Sequence, residues 1–208
     1  MNALPSRLLV VTDRHQAAAP LEAITMQAML AGVRWIWLRD RDMPAAERRD
    51  LAGRLLAITR RHGAFLSIGG DLDLAVAADG VHLGAGASVA AARRKLGPGA
   101  LIGISAHGEA DIAAAQAAGA DYATLSPIYP TQSKPGYGPV LGLAAITQAA
   151  RSALPVLALG GLTAERATAC MRAGAAGIAV MGEVMRAAAR PGGVGEAVQA
   201  LARACDPA

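Results

Sequence analysis

Two glycine-bearing segments, Gly160-Gly161 and Met181-Gly182, stand out in the run PVLALGGLTAERATACMRAGAAGIAVMGEV at 155–184. Each closes an apolar run of strand length and opens toward a helical segment. Adjacent strand ends of this kind leave backbone N–H groups bare and without side-chain bulk, which suits a phosphate dianion. Upstream, the loop PTQSKPGYGPVLG at 130–142 places Thr131, Gln132, Ser133 and Lys134 side by side. Two hydroxyls and an ammonium suit phosphate or pyrophosphate oxygens, and a lysine can steady a departing pyrophosphate. Lys134 is one of two lysines in a chain whose other cations are arginines. The alternative is a solvated loop with ordinary Ser/Thr turn bonds.

A second group lies earlier in the chain. Arg39 and Arg41 flank Asp40 in WLRDR, and the strand period turns both guanidinium groups one way and the carboxylate the other. They read either as a fork for a second phosphate group or as an ion-pair cluster with Asp40 and Asp42. Trp35 is a packing residue, whereas Trp37 can floor a pocket. Ser105 and His107 end the run LIGISAH on one face; the hydroxyl could bond a heterocycle and the imidazole move a proton, or His107 is structural. His82 reads as a satisfied core histidine. No HExxH, CxxC, P-loop or nucleophile elbow is present. Asp13, Asp71 and Asp73 are carboxylates near strand ends but do not cluster.

The elements that must position these residues follow from periodicity. Apolar strand-length runs fall at 8–13, 34–40, 64–70, 80–84, 101–107, 122–128, 155–161 and 177–182. Segments of helical period follow them at 20–31, 45–61, 72–78, 89–96, 109–118, 143–152, 164–173 and 195–204. Gly32, Gly63, Gly97, Gly119 and Gly174 sit where left-handed caps would end five of these helices. Strand–helix repetition with continuously apolar strands predicts an α/β fold, a (β/α)8 TIM barrel forming a single domain over 1–208. A doubly wound sheet would want a glycine-rich turn after its first strand, and VTDRHQAAAP has none. In a barrel the candidate residues all collect at the C-terminal strand ends, with the phosphate corner after strands seven and eight.

Bulk properties narrow the function. With 53% hydrophobic residues the chain is not disordered. Its net charge of +4 comes from scattered arginine, and three tyrosines, two tryptophans and one phenylalanine are too few for stacking on bases. Nucleic acid is therefore not the expected partner; small phosphorylated anions are. Cys170 and Cys205 show no metal spacing and read as reduced thiols. No run approaches the roughly 18 apolar residues of a membrane span, and the first residues lack a signal-peptide core. A cytoplasmic location is expected, and monomer and homo-oligomer both stay open.

Taken together and in order, VTD, WLRDR, DLAVAADGVHLG, IGISAH, GADYATLSPIYPTQSK, PVLALGGLT and AGAAGIAV resemble the thiamine phosphate synthase family, including its TenI-type thiazole tautomerases. The resemblance spans nearly the whole chain. It implies a barrel of thiamine biosynthesis that joins an aminopyrimidine diphosphate to thiazole phosphate with loss of pyrophosphate, a transferase whose ligands are phosphorylated thiazole and pyrimidine. By position, Thr131, Gln132, Ser133, Gly160, Gly161, Met181 and Gly182 would bind the thiazole phosphate side. Arg39, Arg41 and Lys134 would hold pyrophosphate, and Ser105 would contact the pyrimidine.

The resemblance also implies magnesium, yet this chain departs at the residues that would ligate it. Gly69-Gly70 stands where the family pattern has Asn-Asp, and Ala85-Gly86-Ala87 where it has Gln-Asp-Asp. Trp37 stands where the pattern has glutamine. Asp71 is one position along, and a one-residue shift turns a strand side chain to the other face. The tautomerase branch would place a histidine at Pro127, leaving His107 as the stand-in. Three functions follow: a synthase with a remodelled metal site, a thiazole phosphate tautomerase using His107, and a non-catalytic binder of a thiamine-related phosphate or an enzyme acting on another heterocyclic phosphate.

Overall fold

Strands that are apolar on both faces need a cover on both, and the chain supplies one by wrapping its sheet into a cylinder. The computed structural model describes residues 2–131 and 139–206. Eight parallel strands pair in sequence order, and the last closes on the first through Leu8↔Ile178 and Val10↔Val180. They are β1 (Leu8–Val11), β2 (Trp35–Leu38), β3 (Phe65–Gly69), β4 (Gly80–Leu83), β5 (Leu101–Ala106), β6 (Tyr122–Leu125), β7 (Val156–Leu159) and β8 (Gly177–Val180). Around them run α1 (Leu21–Leu30), α2 (Ala45–Arg61), α3 (Leu72–Ala75), α4 (Val89–Leu96), α5 (Glu109–Ala117), α6 (Gly142–Ala149), α7 (Ala164–Arg172), α8 (Gly182–Met185) and α9 (Gly193–Cys205). The glycines expected to end five helices all have positive φ.

Alternation along each strand divides the apolar residues between two cores. Leu8, Val10, Ile36, Leu38, Leu66 and Ile68 face the helices. Leu9, Val11, Trp35, Trp37, Leu101, Tyr122, Leu157 and Ala179 fill the barrel. The inner core is lopsided. Trp35 meets Tyr122 edge-on at 4.7 Å, and Gly103 gives Tyr122 its place, since a Cβ there would overlap the phenol ring. The opposite wall, β7 and β8, carries only Leu157 and Ala179 at this level, so the bulk of the interior leans toward β2 and β6.

Two local results differ from the periodicity. The second strand stops at Leu38, which leaves Arg39 and Arg41 in the loop beyond it. After β8 the chain does not run straight into its last helix; it first makes α8 and a 3-10 turn, Arg186–Ala189. Four residues are too few to show a helical period, so nothing in the sequence marks that extra turn. Among the described residues no helix is long and apolar enough to cross a membrane.

Candidate active site

A cavity of about 840 Å³ opens at the C-terminal end of the barrel. Trp37, Arg39, Arg41, Ser105, His107, Thr131, Gly160, Gly161, Met181 and Gly182 all line it. Gln132, Ser133 and Lys134 lie outside the described residues. The sequence candidates that can be placed thus share one mouth, and they divide into two sides.

On the β7–β8 side the wall is backbone. Gly160 and Gly161 have φ of 104° and 63°, a region that disfavours any residue with a Cβ. A Cβ on Gly161 would also run into the Pro130 carbonyl and lie 2.9 Å from the Tyr129 Cβ, because the chain after β6 passes close behind it. The N–H groups of Gly160, Gly161 and Gly182 find no acceptor among the described residues. Unpaired backbone donors in a folded chain are uncommon unless something else accepts from them. Two arginines that periodicity did not single out complete this side. Arg186 donates to Gln16 Oε1, and its guanidinium lies against Gly182 where a Cβ would stand. Arg166 donates to the Gly161 carbonyl at 2.7 Å and covers the Tyr129 ring at 4.8 Å. Arg166 follows its helix cap Thr163 by three residues, a spacing readable in GGLTAER; Arg186 belongs to the unforeseen turn after α8.

The β2–β5 side is built of side chains. Trp37 is 4% exposed and stacks on His82 with ring centroids 3.8 Å apart. Its Nε1 is buried and has no hydrogen-bond partner among the described residues. His82 is sealed beneath it. Its Nδ1 meets Tyr122 Oη at 3.0 Å, and its Nε2 lies 3.2 Å from Ser105 Oγ and 3.3 Å from Thr124 Oγ1. Burial, and after it the positive charge of Arg41, pushes the imidazole down to about 3, so His82 is neutral at physiological pH, as its core position implied. Ser105 is held by that contact at the cavity wall. His107 donates from Nδ1 to the Ser126 carbonyl at 2.8 Å, while its backbone N–H donates to Asp111 at 2.7 Å.

Arg39 and Arg41 are not an ion-pair cluster with their neighbouring acids. Asp40 is turned away and buried, accepting from the Thr12 hydroxyl and the Arg14 amide. Asp42 pairs with Arg14 at 2.7 Å and His15 at 2.7 Å, which holds its carboxyl well below the usual range. Among the described residues neither Arg39 nor Arg41 meets a carboxylate within ion-pair distance. Behind them Arg48, 6% exposed, donates to the Gly69 carbonyl at 2.8 Å and approaches Asp71 at 3.6 Å, pinning the turn after β3.

The model of the family described as Thiamine monophosphate synthase matches residues 8–184. The chain belongs to the thiamine monophosphate synthase family. It is 42% identical over 183 residues to a thiamine-phosphate synthase of Methanoculleus marisnigri, covering 86% of this chain and 87% of that one. A thiamine-phosphate synthase of Roseiflexus castenholzii is 39% identical over 183 residues, covering 86% and 80%. Among solved structures, a thiamine phosphate pyrophosphorylase from Pyrococcus furiosus superposes with a TM-score of 0.84 at 28% identity, covering 96% of this chain and 95% of that one.

This thiamine monophosphate synthase family is magnesium-dependent, and the residues present here do not fit that ion. The β3 and β4 ends carry Gly69-Gly70 and Ala85-Gly86-Ala87, none of which can ligate through a side chain. Two carboxylates that line the cavity, Asp42 and Glu183, pair with Arg14 and Arg190, and those nearest these strand ends are committed elsewhere. Asp71 caps α3 through the Leu74 amide, Asp73 pairs with Lys95, and Asp13 accepts from Gln16 at 2.7 Å. Among the described residues no three His, Cys, Asp or Glu side chains converge.

Proposed function

We propose that this chain, acting as one barrel domain over 1–208, is a thiamine-phosphate synthase that joins an aminopyrimidine diphosphate to thiazole phosphate. The observation that carries the reading is the set of amides at Gly160, Gly161 and Gly182 that have no acceptor among the described residues, on residues lining a cavity large enough for two ring systems. The thiazole phosphate sits against these amides, with Arg186 and Thr131 beside it. Its oxygens accept from main-chain N–H groups that need no reorganisation when the ligand arrives.

The pyrimidine diphosphate lies on the other side, its ring over Trp37 beside Ser105 and its diphosphate toward Arg39, Arg41 and Lys134. The bond between the pyrimidine methylene carbon and the diphosphate oxygen breaks, and the electron pair leaves with the oxygen. The thiazole ring nitrogen then donates its lone pair to that carbon, forming the new C–N bond and releasing pyrophosphate. No side chain acts as a nucleophile. The protein's task is to meet the charge that builds on the leaving group and to keep water from the carbocation. Arg39, Arg41 and Lys134 do the first, and the stacked Trp37–His82 pair does the second.

Calorimetric titration with thiazole phosphate, followed by turnover with the pyrimidine diphosphate, tests this. Saturable thiazole phosphate binding and release of one pyrophosphate per thiamine phosphate are expected. Binding with no turnover, or tautomer conversion abolished by His107→Ala, would replace the synthase reading with one of the two other functions. Lys134→Ala is expected to weaken the diphosphate substrate and leave thiazole phosphate affinity unchanged.

A further inference from the structure

The missing magnesium carboxylates leave a definite volume between the ends of β3 and β4, and Arg41 occupies it. A Cβ built on Gly70 would lie 2.9 Å from Arg41 Cζ and 3.1 Å from both Nε and Nη2. A Cβ on Gly84 would lie 3.7 Å from Arg41 Nη1. The guanidinium therefore fits against two glycines at once, and at Gly70 it fits only because a side chain is lacking. Its Nη2 leans on the His82 carbonyl at 3.4 Å, which fixes the fork on the cavity side of β4. Gly70 has φ of 72°, so the turn that opens this seat is itself a glycine conformation.

We infer that the Arg41 guanidinium takes the place of the divalent cation, so that this chain binds the diphosphate of its substrate without magnesium. The inference rests on the synthase reading and says how that site is charged. A planar guanidinium presents two parallel N–H donors to phosphate oxygens and never loses its proton at neutral pH. It thus delivers permanent charge to the spot where a carboxylate-held ion would sit, and it removes the need for the carboxylates. Asp71, next to Gly70, is absent from the cavity wall and faces Arg48 instead, while Asp42, which lines the cavity, is paired with Arg14 and His15. Arg41 is exposed as a residue, and partial desolvation of its guanidinium, then the nearby Arg48 and Arg39 charges, lowers its pKa from the ordinary arginine value. Arg39 and Arg41 both line the opening, and two like charges there favour an incoming anion.

The test uses the full chain and inorganic pyrophosphate as the probe, titrated calorimetrically in EDTA and again with excess magnesium. Binding in EDTA is expected, with affinity within about threefold of that in magnesium. Arg41→Ala should weaken the EDTA affinity by about tenfold or more, and Arg41→Lys should recover part of it because a point charge replaces the fork. Gly70→Asp places a carboxylate against the guanidinium and should abolish binding in EDTA. Pyrophosphate binding that appears only with magnesium, or that Arg41→Ala leaves unchanged, overturns the inference. Thiazole phosphate titrated into the same samples separates the two readings. If it binds while pyrophosphate demands magnesium, the synthase reading stands and the substitution by Arg41 falls; if it does not bind, the synthase reading itself falls.

Discussion

Glycines line both sides of the barrel mouth, and they do opposite things. At the β7–β8 side, Gly160 and Gly161 withdraw side chains and line the cavity with N–H groups that have no acceptor among the described residues. At the β3–β4 side, Gly69 and Gly70 also withdraw side chains, but protein fills the gap. A Cβ on Gly69 would lie 3.0 Å from Trp37 Nε1, and one on Gly70 would meet Arg41. A glycine at a strand end is therefore not in itself a ligand site. What decides is whether the space it vacates is taken by a neighbour, and that neighbour comes from a different strand.

The comparison can be broken or sharpened by substitution. The largest effect is expected at Trp37, which closes the filled side. Trp37→Ala should cost about 3–5 kcal/mol of folding stability in urea denaturation; a cost below about 1 kcal/mol would show that this side is not packed as described. On the open side, Gly161→Ala adds a Cβ at positive φ and into the Pro130 carbonyl. Thiazole phosphate affinity should drop about 10- to 100-fold by calorimetry, with unchanged affinity removing the amide cradle from the account. Arg186→Ala should weaken the same ligand about tenfold while leaving pyrophosphate affinity as it was. A loss shared equally between the two ligands would erase the distinction between the sides.

The smallest effect is a pH dependence from His82. Its native pKa, about 3, lies below the ordinary histidine value of about 6.5. The unfolded chain therefore takes up a proton that the folded chain refuses. The stabilising effect of the neutral, buried ring is complete above about pH 6.5 and declines as pH falls toward about 3. At pH 5.5 the loss is on the order of 1 kcal/mol. Thermal melts at pH 7.5 and 5.5 should show this drop in the native sequence and a smaller one in His82→Gln; equal drops would mean that His82 is not the titrating group.

Much of this was legible in the chain alone. The barrel followed from strand-length apolar runs alternating with helical segments, because strand and helix periods are local properties of neighbouring residues. The glycine-bearing strand ends proposed to hold thiazole phosphate were legible for the same reason, since GGLT and VMGE each carry their glycines at a strand end. Trp37 at the cavity also followed from two-residue alternation; Asp40 is turned away as expected, but in the loop beyond β2, held by Thr12 and Arg14 rather than by a strand period. What the sequence could not settle was which acids would claim Arg39 and Arg41. Asp42, three residues from Arg39, goes to Arg14 and His15 from the loop after β1. Nor could it show Arg186 beside Gly182 at the cavity, because a four-residue helical turn has no period to read.

Local pattern, then, determined the strands, the helices and the strand ends where function would gather. Closure of the barrel decided the rest. Only when β2, β3 and β4 lie side by side does Arg41 reach the seats beside Gly70 and Gly84, and only then does Trp37 come to rest on His82. Those contacts join residues far apart in the chain, and their existence depends on the distance and direction that strand pairing imposes. No spacing along the sequence encodes that.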